Sequence, residues 1–294
     1  MLRRFGTTIG SLTTTITMTE FWEALWDPDF NFLRIALFMG VLASVAFGIS
    51  GSFVVARRIT YIAGAIAHAV LGGIGFALYM QQVHGWTAFD PLLGATLAAL
   101  LSAWLISWIQ LRGSDREDSL IGVIWASGMA VGIIFLSLTP GYTDPMSYLF
   151  GNILILSPRD LWLVAILDLV LLAIGVLGYS RLQAVCFDEE FARLRGVHVG
   201  FYYTLLLSMV ALSVVLLVSV VGIVLVVALL TLPAAIAGRF TGTLRGMMVL
   251  SSVLALVFIV GGLGFSYSSN LPAGAVIVLL AAAVYLLSLF RQSA

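Results

Sequence analysis

The chain has 294 residues, 61% of them hydrophobic and 10% charged, and a mean hydropathy of +1.12. Soluble domains are nearer half apolar and a quarter charged, so this composition describes a membrane protein and excludes a freestanding soluble one. The 14 basic and 14 acidic residues cancel, which leaves no field to gather nucleic acid; every basic residue is arginine, which excludes a P-loop ATPase with its phosphate-binding lysine; and the single cysteine, Cys186, excludes an internal disulfide or a thiolate cluster.

The N-terminal stretch MLRRFGTTIGSLTTTITMTEFWEALWDPDF has two arginines but lacks the apolar core and small-residue cleavage site of a signal peptide. Residues 1–18 read as a low-complexity, disordered leader, with Met18 as an alternative start. From Thr19, TEFWEALW combines a capping threonine with early acidic residues and places Phe21, Trp22, Leu25 and Trp26 at helical spacing. That pattern predicts an amphipathic helix over 19–31 lying at the membrane interface.

A spanning helix needs roughly 20 mostly apolar residues. That rule predicts an all-α polytopic membrane protein whose single transmembrane domain covers 32–291, with about nine spans at 32–56, 60–80, 90–111, 119–138, 161–180, 200–219, 221–238, 246–266 and 272–290. The weakest division is between the sixth and seventh, where only Ser219 to Gly222 suggests a turn, so eight spans is the alternative.

Basic residues concentrate on the cytoplasmic side of a membrane. With the N-terminus outside and the C-terminus cytoplasmic, the inner ends hold Arg57, Arg58, Arg112, Arg116, Arg181, Arg193, Arg195, Arg239, Arg245 and Arg291, against Arg3, Arg4, Arg34 and Arg159 outside. Three connections are more than simple loops. Residues 139–160 carry turn signals at Pro140-Gly141 and Asp144-Pro145 and then an apolar stretch too short to span, which reads as an outer or re-entrant helix. Residues 187–200, FDEEFARLRGVHVG, form a charged amphipathic helix after Asp188 that ends at Gly196 on the inner face. Residues 266–274 are a polar outer loop. No soluble domain can be built from these loops, so any energy source or high-affinity receptor is another chain.

Several stretches together resemble the membrane subunits of ABC-type zinc, manganese and iron importers: GSFVVARRITYIAGAIAHAVLGG, YLFGNILILSPRDLW, DEEFARLRGV, VVGIVLVVALLTLPAAIAGRF and LPAGAVIVLLAAAVYLLS. They occur in order over about residues 20–290. The resemblance implies a type II ABC importer-like permease fold in the cytoplasmic (inner) membrane of a prokaryote. The chain would form a homodimer with the path along the dimer axis and would hold no permanent cofactor. It would pass a divalent metal ion by alternating access. ATP would be hydrolysed on a separate ATP-binding cassette subunit docked at 187–200, and an extracytoplasmic metal-binding protein would deliver the cargo.

Gly64, His68 and Gly72 recur at i, i+4 and i+8 and share one helical face, where small residues admit another backbone and an imidazole suits a divalent transition metal. The competing reading is a buried histidine bonded to a neighbouring helix. The resemblance implies an aspartate four residues before the histidine, where this chain has Gly64. Asp168, in the middle of the fifth span, is the candidate substitute, the alternative being a helix-bonded carboxyl at a packing contact. Asn152 stands where the resemblance implies a second aspartate.

Asp188, Glu189, Glu190, Arg193, Arg195 and Gly196 are the candidate ATPase-coupling residues, against the reading that they form only a solvated face. His198 reads as structural, and His84 as interfacial or as a contact for the delivery protein. Pro233 either bends the seventh span or ends it. The alternatives to the metal permease are an ion- or proton-coupled secondary transporter using His68 and Asp168, and an ABC permease for a metal chelate.

Overall fold

The computed structural model describes residues 25–26, 31–113, 117–141, 158–269 and 271–290. The expected leader, most of the interfacial helix, the YLFG stretch and Asn152 lie outside them. Eleven helices make up the described chain: α1 (Asn31–Arg57), α2 (Thr60–His84), α3 (Pro91–Gln110), α4 (Glu117–Leu138), α5 (Pro158–Leu177), α6 (Tyr179–Phe187), α7 (Glu189–Leu194), α8 (Val199–Val221), α9 (Ile223–Phe240), α10 (Leu244–Ser269) and α11 (Ala273–Phe290).

Each helix begins and ends for a local reason. Pro91 starts α3, where its missing N–H needs no partner, and Asp90 caps that end by accepting from the Leu92 N–H at 2.8 Å. Gly85 closes α2 with φ 69°, and Gly222 separates α8 from α9 with φ 90°, within the region where the sequence suggested a turn. The α1–α2 junction is tighter. Arg58 takes the left-handed conformation at φ 62° that a glycine adopts more readily, while the Ile59 N–H donates back to the Val54 carbonyl at 3.0 Å.

Among the described residues seven helices are long and apolar enough to span, or eight if one bent pair is a single span, against the expected nine with eight as the alternative. Two places account for the change. The fifth span ends at Gly178, and the chain turns by 72° into α6, whose Ser180, Arg181 and Gln183 are too polar to continue along an apolar axis. The seventh, α9, offers only Val226–Phe240 as a shorter apolar helix. Pro233 lies inside α9, and the helix continues past it to Phe240.

The bundle is centred on α1 and α2, the most buried of the long helices, with α3, α4 and α11 towards the outside. α1 packs against α10, α5, α9 and α8, and α2 packs against α4, α3, α9 and α8. Lipid tails are as apolar as leucine, so contact of this kind depends on close approach rather than on hydrophobic drive. A Cβ on Gly51 would stand 2.0 Å from the Leu230 carbonyl of α9, and one on Gly48 would stand 2.5 Å from the Ser252 nitrogen of α10. Buried hydroxyls complete the seams: Ser213 of α8 donates to Ser50 of α1 at 2.6 Å, both fully enclosed, and Ser107 of α3 meets Thr204 of α8 at 2.7 Å.

Candidate functional site

The face of α2 that carries Gly64, His68 and Gly72 is turned towards α4. Along this seam the backbones nearly touch. A Cβ on Gly72 would lie 3.0 Å from the Gly128 carbonyl, one on Gly75 would lie 2.6 Å from that of Gly132, and one on Gly128 would lie 2.5 Å from the Ala69 Cα. The His68 ring is half-buried within the seam. Its Nδ1 is 2.8 Å from the Gly64 carbonyl one turn back, and its plane stacks on the Trp125 indole of α4 with centroids 4.1 Å apart and 22° between planes. A nitrogen facing a carbonyl carries the proton, so Nε2 holds the lone pair that a cation would use.

The same contact accounts for Gly64. A Cβ there would lie 3.3 Å from the Trp125 ring and 3.4 Å from Val227 of α9, so the indole occupies the space beside the position where an aspartate was expected. Among the described residues no group of three or more His, Cys, Asp and Glu stands close enough to hold a metal ion. Among the described residues His68 thus belongs to no such group, and its ring stands against an aromatic wall.

Asp168 belongs to a different seam. It is buried on α5, and its Oδ1 accepts from the Ala46 N–H of α1 at 3.0 Å. No hydrogen bond or ion pair among the described residues joins it to His68. Asn152 lies outside the described residues.

At the arginine-rich end the contacts draw several helix termini together. Arg57, at the end of α1, pairs with Glu189 of α7, donates to the Val185 carbonyl of α6 at 2.8 Å, and lies 5.4 Å from the Tyr203 ring of α8. The Tyr203 hydroxyl in turn donates to Gln110 at the end of α3. Arg181 donates to the Tyr202 hydroxyl at 2.6 Å, and Arg245 sits 4.7 Å from the Tyr179 ring.

The candidate coupling residues surround α7. Asp188 caps it by accepting from the Phe191 N–H at 2.9 Å, and Gly196 follows its end at φ 77°. Glu189 turns inward to Arg57, while Glu190, Arg193 and Arg195 are exposed. Sequence reasoning named these charges but not Phe187, Phe191 and Leu194, which stand exposed at i, i+4 and i+7. Phe191 and Leu194 share one face of α7, and Phe187 ends α6 just before the extended Asp188, a break that the spacing alone did not show. His84 is exposed beside the Tyr79 ring, and His198 is exposed at the start of α8 with no capping bond from its side chain.

Comparison with known proteins covers nearly the whole chain. Residues 29–292 match the ABC 3 transport family. An uncharacterized membrane protein of Synechocystis sp. is 42% identical over 266 residues, 90% of this chain and 92% of that one. The manganese import system permease protein ScaB of Streptococcus gordonii is 35% identical over 92% of this chain and 94% of its own length. Among solved structures, PsaBC from Streptococcus pneumoniae in complex with Fab superimposes with a TM-score of 0.81 at 33% identity, covering 92% of this chain and 95% of that one.

Proposed function

Because this multi-pass chain belongs to the ABC 3 transport family, we propose that it is the permease subunit through which a divalent transition metal ion is imported. The name of the Streptococcus gordonii relative makes manganese the first candidate cargo, with zinc and iron next. The match across residues 29–292 carries this reading.

In it His68 lines the path. Its Nε2 is the donor, its tautomer is held by the Gly64 carbonyl, and Trp125 shields one face. A lone imidazole on an aromatic wall suits a cargo that must enter and leave, because a closed cage of carboxylates would retain it. Asp168 accepts from the Ala46 N–H, which favours its packing role of holding α5 on α1 over that of a second ligand, whereas Asn152 keeps its place as a candidate on the path.

The rest of the machine follows the same reading. The arginine-rich end is cytoplasmic, as the arginine bias supports, and the N-terminus lies outside. Two copies enclose the path and alternate its access in the inner membrane of a bacterium. An ATPase subunit docks on α7, with Phe187, Phe191 and Leu194 as its apolar contacts and Glu190, Arg193 and Arg195 around them. A delivery protein brings the ion to the outer face.

The test is uptake into vesicles holding the chain, an ATPase subunit and a delivery protein, with radioactive manganese, zinc and iron compared at equal free concentration. ATP-dependent accumulation of one of the three supports the proposal. Uptake by the chain alone, driven by a proton or ion gradient and indifferent to ATP, overturns it in favour of a secondary transporter.

A further inference from the structure

A cavity of about 570 Å³ opens where α1 ends and α2 begins. Among the described residues Arg57, Arg58, Arg112 and Arg193 line it, against the single carboxylate of Glu189, which is already paired with Arg57. The charge is therefore strongly positive and concave, as a basic pocket for phosphate requires. Its position on the bundle narrows the ligand further. Leu111 forms part of the lining, and it is also the last member of an exposed stripe on α3: Leu93, Leu97, Leu101, Trp104, Trp108 and Leu111. These recur at three- and four-residue steps and so lie along one face. The rise from Leu101 to Leu111 is about 15 Å, the hydrocarbon depth of one leaflet.

At the junction of stripe and pocket Arg112 lies 3.9 Å from the Trp108 ring, an aromatic and a cation together at the level where headgroups begin. Arg58 is held at the rim by its left-handed backbone.

We infer that this pocket binds the phosphate headgroup of an anionic phospholipid, whose acyl chains lie along the exposed stripe of α3. A free anion would use the arginines and leave the stripe uncovered. A docked protein would be expected on the exposed apolar residues Phe187, Phe191 and Leu194, none of which lines the cavity; of Glu190, Arg193 and Arg195 around them only Arg193 reaches it. The lipid alone uses both features. Its role is to fix the α1–α2 junction at the membrane surface, beside the α7 segment that Arg57 already holds. The inference rests on the membrane-spanning reading and not on the cargo, so failure to transport any metal would leave it standing.

The test uses the assembled permease in detergent, offered equal phosphatidylglycerol and phosphatidylcholine, with retained lipid counted by native mass spectrometry. Phosphatidylglycerol should be retained preferentially. R58Q/R112Q should lower that retention by roughly thirty-fold, from about a fivefold contribution per arginine lost near a charged surface. R58K/R112K should keep most of it, and a single R112Q, useful if the double variant does not elute as one species, should lose part. Soluble glycerol phosphate should compete only weakly. Equal retention of the two lipids, retention unchanged in R58Q/R112Q, or full displacement by glycerol phosphate would each overturn the assignment.

Discussion

Two polar groups sit in the middle of apolar helices here, and they are satisfied in opposite ways. Asp168 on α5 reaches across to α1 and takes a backbone N–H from Ala46, so its bond joins two helices. His68 on α2 bonds back to its own helix, at Gly64, and meets its neighbour α4 only through a stacked ring. A cross-helix bond uses the group up in holding the bundle together. A bond within the helix fixes the ring's orientation and leaves the other nitrogen free, which is what a path residue needs. In the proposed reading the α1–α5 seam is structural and the α2–α4 seam functional, a division that mutations can break.

The largest effect belongs to His68→Ala. ATP-driven uptake should fall at least roughly tenfold, the range seen when supporting groups of metal sites are removed, while the melting temperature of the assembly stays within a few degrees. If uptake survives, His68 is a packing residue and the division fails. Next is Gly128→Val, which sets a branched side chain where even a Cβ would be 2.5 Å from the Ala69 Cα. Overpacking of this kind costs about 3 kcal/mol. Since α4 also carries Trp125, both melting temperature and uptake should fall, and loss of stability without loss of uptake per folded complex would separate the seam from the path.

Asp168→Ala should do the reverse of His68→Ala. Removing a buried acceptor for a backbone N–H costs about 2 kcal/mol, so stability falls while uptake per folded complex is kept. Asp168→Asn retains an acceptor oxygen and should lose less. Uptake lost in Asp168→Asn with normal melting would return the carboxylate to the path as a second ligand.

How much of this was legible beforehand follows from the same physics. Apolar runs of about 20 residues betray the long helices because the bilayer demands that length, and Gly64 and Gly72, one turn on either side of His68, marked the packed face of α2. The glycine at 222 was visible as a break because only small residues interrupted an otherwise continuous run. The 72° bend at Gly178 was not, because the apolar run carried the fifth span on to residue 180 and set Arg181 at its inner end, with nothing to mark a second helix. Partners distant in the chain were invisible too. Nothing in the sequence joins Arg57 to Glu189, or His68 to a tryptophan on α4, since exposed aromatics are common in spans. Asp168 was legible as costly to bury, yet its partner is a backbone N–H, which every residue but proline possesses.

The smallest effect probes whether a polar contact can be structural and nothing more. Ser213 donates to Ser50 at 2.6 Å between α8 and α1, and both residues are fully buried. Hydrogen bonds between membrane helices average about 0.6 kcal/mol, because the separated helices find other partners. Ser213→Ala should therefore lower stability by about that much and leave uptake unchanged. Ser50→Ala should match it, since each substitution removes the same bond. The double variant should cost little more than either single one, and this non-additivity is what identifies the pair as one interaction. Additive costs would mean that each hydroxyl has a separate partner. A fall in uptake without a fall in stability would place the serine pair on the path with His68 and remove the clean boundary between the helices that hold the bundle and those that carry the ion.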